Sequence, residues 1–95
     1  MSEELIKKCE VGDFNFDNDL KTNCSVVLTE VEKHKDTLNI SEEEAADYLN
    51  MVQNLKAKDV SKVLALALKI RESGDIKDPE LKTQASRLIR AIEAS

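Results

Sequence analysis

Apolar residues recur at three- and four-residue steps along most of this chain, and that period admits helices and little else. Leu20, Cys24, Val27, Leu28 and Val31 make one such stripe, and Ala45, Tyr48, Leu49, Val52 and Leu55 a second. A third, Val60, Val63, Leu64, Leu66, Ala67, Leu68 and Ile70, covers more than half of a helical circumference, which predicts a central helix buried on several sides. Leu81, Ala85, Leu88, Ile89 and Ile92 form the last, with Lys82, Arg87 and Arg90 facing outward. Two Gly, one Pro and three aromatic residues (Phe14, Phe16 and Tyr48) leave too few turn residues for a sheet-rich fold.

Between the stripes lie stop and start signals. Ser2-Glu3-Glu4-Leu5 can open a short helix that ends near Gly12, with its acids placed favourably in the first turn. Asp13 to Asp19 reads as a polar linker rich in N-caps, and the helix that follows is expected from about Asp19 to Lys35. Ser41-Glu42-Glu43-Glu44 spells a capping box, with the Ser41 hydroxyl on a free amide and Glu44 reaching back to the Ser41 amide. Asp59 is placed to cap the central helix, which stops at Ser73-Gly74, where glycine permits a left-handed closing turn. Asp78-Pro79 is an N-cap followed by proline at the first helical position, where its missing N–H matters least. The expectation is all-α: a compact bundle of four to five short helices, one domain over residues 1–95. Residues 1–18 supply an N-terminal helix and linker, and residues 19–95 the bundle core.

Charge and length narrow the class of function. The net charge is −5, and residues 1–50 hold five Lys/Arg against thirteen Asp/Glu, whereas residues 51–95 hold nine against six. An acidic half repels phosphate backbones, so general nucleic-acid binding is not expected, and basic partners or basic peptide segments fit better. The longest apolar run, Val63 to Leu68, is far short of the ~20 residues a bilayer span requires, and no signal-peptide stretch opens the chain. Cys9 and Cys24 are read as reduced thiols of an intracellular protein.

Constellations that could carry chemistry each have a plainer reading. Asp13, Asn15, Asp17 and Asp19 alternate like the start of a calcium loop, but Asn18 stands at the glycine position and Cys24 at that of the bidentate glutamate. Helix caps in a solvated linker account for them. Cys9, Cys24 and His34 lack the short spacing of a zinc knuckle, and His34 is placed to favour a helix C-terminus. No nucleophile turn and no phosphate-cradling glycine loop is present, and Glu42, Glu43 and Glu44 diverge as neighbours in one helical turn. No catalytic residue, cofactor or metal is expected. Phe14 and Phe16 are either a hook for a partner or a lid on the bundle. The ~1.5–3 kcal/mol gained by burying a Phe favours the lid.

From Thr37-Leu38-Asn39-Ile40-Ser41 through Tyr48-Leu49-Asn50-Met51-Val52-Gln53-Asn54-Leu55 the chain resembles integrase-binding domains of the lens-epithelium-derived growth factor type. More widely, it is similar to helical bundles typified by the N-terminal domain of the elongation factor TFIIS. The likeness extends over about residues 26–92, including Val27 to Lys33, Leu68 to Arg71 and Leu81 to Ile92. Ser41 departs from it, standing where the integrase-binding members carry an acid. The resemblance implies a nuclear, non-enzymatic adaptor of transcription or chromatin that grips short disordered acidic-aromatic motifs at its loop tips. Ile40 and Ser41 match the first such loop, and Ile76 falls in the equivalent of the second. Apolar residues in connecting loops are independently either covers for the core or exposed contacts.

Two functions are therefore expected in order. The first is a protein-interaction module that binds a short segment of a partner through Ile40, Ser41 and Ile76. The alternative is a small acidic inhibitor or immunity-type protein of bacterial or phage origin, whose residue 1–50 surface blocks a basic groove of an enzyme. Outside the nuclear reading, a cytoplasmic location is expected.

Overall fold

A computed structural model describes residues 2–95, the Ser2 side chain excepted. Five α-helices follow one another: α1 (Ser2–Glu10), α2 (Asn18–Lys33), α3 (Glu42–Gln53), α4 (Val60–Glu72) and α5 (Pro79–Ala94). A 3-10 turn, Ala57–Asp59, leads directly into α4, and the described residues contain no β-strand. The chain is thus an all-α bundle. The expected helix start at Ser2-Glu3-Glu4-Leu5 includes the Ser2 side chain, which lies outside the described residues.

Local chemistry sets most of the helix ends. Gly12 (φ +76°) closes α1 with a paired C-terminal motif, in which the Asp13 amide donates to Lys8 O at 2.9 Å and the Gly12 amide to Cys9 O at 3.1 Å. At the start of α2, Asp17 accepts the Leu20 amide on Oδ1 at 2.9 Å. Asp78 Oδ1 likewise takes the Glu80 and Leu81 amides at 2.9 and 3.2 Å, with Pro79 opening α5. Ser41 Oγ accepts the Glu44 amide at 3.1 Å. The other half of the expected box differs: Glu44 Oε1 receives the Ser41 hydroxyl at 3.2 Å rather than the Ser41 amide.

Two helix ends depart from expectation. Asp59 makes no side-chain cap of α4; its Oδ2 accepts the Lys56 amide at 3.1 Å, so it ties down the 3-10 turn that precedes the helix. Gly74 is not left-handed, because α4 leaves through an extended Ser73 (φ −76°, ψ 123°). The carbonyls there are met by Lys82 of α5, whose Nζ lies 2.5 Å from Ser73 O and 3.5 Å from Arg71 O. A lysine at a helix C-terminus satisfies orphan carbonyls and opposes the helix dipole.

Packing follows the stripes. α2, α4 and α5 pack against one another as the core, α1 covers α4, and α3 lies along α2. Val63, Leu64, Ala67 and Ile70 of α4 are buried among Leu28 and Val31 of α2 and Leu88, Ile89 and Ile92 of α5, which makes α4 the central helix. The radius of gyration, 12.3 Å, equals the ~12 Å expected of one packed domain of this length. Phe14 and Phe16 sit half-buried against this core, edge to face with centroids 6.4 Å apart, and so act as a lid. Of the expected α3 stripe, Leu49 is instead 43% exposed. α3 has one main neighbour, and a helix packed against a single partner can bury only a narrow stripe.

Candidate functional site

The feature with most consequence for function is what α3 does not do. The connection between α3 and α4 is short, yet α3 packs on α2, and the space between α3 and α4 is left as a cleft of about 330 Å³. That volume is at the low end of the ~300–1,000 Å³ range of ligand pockets, enough for one or two side chains. Its apolar lining is Leu66 of α4 with Leu38 and Ile40 of the first connecting loop and one edge of Ile76 of the second, over the buried Val31 of α2 and Ile70 of α4. Tyr48, Glu44, Lys69 and Asp75 supply its polar edge.

Ile40 reaches the cleft because of the residue before it. After α2 the chain continues in turns over 34–39, and these close on Asn39 in the left-handed conformation (φ +60°). The Ile40 amide donates to Lys35 O at 2.9 Å and the Asn39 amide to Asp36 O at 3.3 Å, the same paired motif that ends α1. In this motif the residue after the left-handed one turns back on the preceding coil and makes an apolar contact. Ile40 occupies that place and is half-buried against the core.

The second connection is pinned from both sides. Asp78 uses one carboxylate oxygen to cap α5 and the other to meet His34 Nε2 at 3.2 Å. His34 is itself the C-cap of α2, and its Nε2 also lies 3.7 Å from Glu30, a buried carboxylate that Lys33 approaches at 3.4 Å. With Lys82 holding Ser73, the loop 73–78 is fixed at each end. Ile76 is thereby pressed inward: it is 8% exposed and belongs to the core cluster.

The sequence-predicted site residues therefore divide. Ile40 and Ile76 come from separate loops to one cleft. They are not two equivalent surface residues, since Ile76 is a core cover with one edge on the cleft. Ser41 does not line the cleft; it is exposed and caps α3. Its link to the cleft runs through Glu44, whose carboxylate takes the Ser41 hydroxyl at 3.2 Å and acts on the Tyr48 hydroxyl. Burial raises the Tyr48 hydroxyl above the ordinary phenol pKa, and the charge of Glu44, the hydrogen bond to it and the charge of Asp47 push the same way. Tyr48, Leu66, Lys69 and Asp75 were not anticipated as cleft residues. Tyr48 carried a usable signal: it is the single aromatic of an otherwise aliphatic stripe, with a hydroxyl that needs a partner when partly buried.

Elsewhere several polar groups are engaged in structure. Asn15 donates its amide to Ser95 Oγ at 2.7 Å, and Lys8 Nζ reaches Ile92 O and Ser95 O at 3.1 and 2.8 Å, clasping α1 and the linker onto α5. The described residues hold no group of three or more His, Cys, Asp or Glu side chains placed to bind a metal ion. Cys9 and Cys24 are free and buried. Burial pushes the Cys24 thiol up to about 12, with the neighbouring Cys9 adding to the effect, and burial likewise raises Cys9 against an opposing pull from Lys8. Such thiols are protonated and poor nucleophiles. No helix among the described residues is long and apolar enough to cross a membrane.

The class these features define is a small all-α bundle with a side-chain-sized cleft at one end. Compared with protein families, curated proteins and solved structures, the chain matches none.

Proposed function

We propose that this protein is a non-enzymatic interaction module that takes a short, disordered segment of a partner protein into the cleft between α3 and α4. The observation that carries the reading is the convergence of Ile40 and Ile76, from separate loops, on one cleft edged by polar groups. A small, desolvated apolar centre with a polar edge is the arrangement in which a few residues supply most of the binding energy. The walls are prearranged by the Asn39 turn and the His34–Asp78 contact, so little ordering free energy is spent on docking. The likeness at Thr37 to Leu55 extends the proposal to an adaptor of transcription or chromatin proteins in the nucleus.

The test is retention of partner proteins from host extract by immobilised wild type and Ile40→Asp, with thermal melts of both. Ile40 is half-buried, so the variant should lose about 1 kcal/mol of stability, remain folded and fail to retain the partner. An equal yield of the same partner would remove the cleft from the account. Retention that collapses with salt and depends on Glu42 and Glu43, whatever stands at position 40, would support an acidic inhibitor instead.

A further inference from the structure

The cleft's two sides differ in charge, and this names the chemistry of the segment it takes. This step rests on the cleft being the docking site. On the α3 side, Glu44 lines the cleft and Asp47 lies near enough to act on the Tyr48 hydroxyl. Glu43 stands one helical turn before Asp47, so the two carboxylates are neighbours on the surface. Glu43, Glu44 and Asp47 are all exposed. Asp75 adds a fourth acid from the 73–78 loop, whose exposed Lys77 lies outside the cleft lining, and among the described residues Lys69 on α4 is the one basic residue lining the cleft. Lys35, the nearest cation in the preceding turns, is taken by Glu32 and Glu42 at 4.0 and 3.6 Å.

We infer that the cleft recognises a segment in which one apolar anchor side chain is flanked by lysine or arginine. The anchor enters between Ile40, Ile70 and Ile76, and a flanking cation settles on the α3 side. There the Glu44 and Asp47 carboxylates, beside the half-buried Tyr48, offer it opposite charge. A carboxylate at the same place would meet like charge from Glu43, Glu44 and Asp47. Glu44 already accepts a hydrogen bond from the Ser41 hydroxyl, which holds its carboxylate in position. Complementary charge of this kind governs the choice among partners more than total affinity, so acidic segments with the same anchor are rejected, opposite to the acidic-aromatic motifs that the likeness at Thr37 to Leu55 implies.

The experiment uses two amidated ten-residue peptides that share a central Leu-Phe pair, one flanked on each side by two lysines and the other by two glutamates. Each is titrated into the 15N-labelled full chain, and amide shifts give both the affinity and the place of binding. The expected result is binding of the lysine peptide at least ten-fold tighter at 50 mM salt. Its shifts should centre on Ile40, Tyr48 and Ile76, and its advantage should shrink several-fold in the double variant Glu43→Gln, Asp47→Asn. Lys69→Ala should tighten the lysine peptide rather than weaken it. If both peptides move the same cleft amides with equal affinity, or the glutamate peptide binds tighter, the charge inference is overturned and the cleft remains a docking site. If the lysine peptide shifts only the acidic surface of α3 and leaves Ile40 and Ile76 unmoved, the inference is overturned as non-specific charge attraction. If neither peptide shifts any cleft amide, the docking site and the inference fall together.

Discussion

Asn39 offers a test of the local argument with few confounding contacts, because its side chain is exposed and its backbone is left-handed (φ +60°). Replacing it with valine removes no core contact, yet forces a β-branched residue into a conformation in which Cβ crowds the following carbonyl. That crowding costs roughly 1–2 kcal/mol for an ordinary L-residue, and asparagine escapes part of it. The two hydrogen bonds that close the turn, Ile40 N to Lys35 O and Asn39 N to Asp36 O, require this conformation, so the strain cannot be relieved by letting φ relax. Asn39→Val should therefore lose about 1–2 kcal/mol, and Asn39→Gly should lose nothing beyond a few tenths. Urea unfolding followed at 222 nm measures both. In the valine variant the Ile40 amide should also exchange faster with solvent than in the glycine variant. A valine variant as stable as the parent would mean that the turn is not closed through a left-handed residue, and the reason given for the position of Ile40 would be wrong.

Leu64, fully buried in the central helix, should cost about 2–5 kcal/mol as Leu64→Ala, a large part of the ~5–14 kcal/mol available to a domain of this length; an unmoved denaturation midpoint would show that the core lies elsewhere. Ile76→Ala should fall in the same range of about 2–5 kcal/mol, well above the loss for Ile40→Ala, and equal losses would contradict the asymmetry of the two isoleucines. Ser41→Ala should cost about 0.5–2 kcal/mol and Ser41→Asp almost nothing, since either oxygen can cap α3; the reverse order in thermal melts would refute the cap. Cys24 predicts an alkaline slope: its thiol titrates near 9 when unfolded and at about 12 when folded, so the contribution is full below pH 9 and lost as pH rises toward 12. Between those limits wild type should lose up to about 1.4 kcal/mol per pH unit that Cys24→Val does not lose, and parallel curves would refute this.

The legible parts of this protein are those decided within four residues. Asp17, Ser41 and Asp78 could be read as caps because acceptor and amide are two or three positions apart, and the stripes of α2, α4 and α5 because burial on a helix repeats with its turn. What failed to show depends on distant neighbours. Nothing near Gly74 reveals that Lys82, nine residues after Ser73, will satisfy the end of α4 and make a left-handed glycine unnecessary. Leu49 matches its stripe as well as Val52 does, and only the packing of α3 on α2 alone leaves it exposed. The cleft lay between these cases. That Ile40 and Ile76 share an end of the bundle follows from helix directions, but their unequal burial follows from the His34–Asp78 and Lys82–Ser73 contacts, which join residues from different helices. Asn39 carried a local signal that is easily passed over, an asparagine in the position that glycine holds at the end of α1.

The claim that matters most is that partners enter between α3 and α4, and photo-crosslinking in the native host tests it most directly. A photoreactive amino acid is placed at Thr37, which is exposed on the cleft, and in a second preparation at Arg87, exposed on the outer face of α5. The account predicts a discrete covalent adduct with a partner protein from position 37, abolished by Ile40→Asp, and none from position 87. An adduct formed from position 87 and absent from position 37 would contradict it.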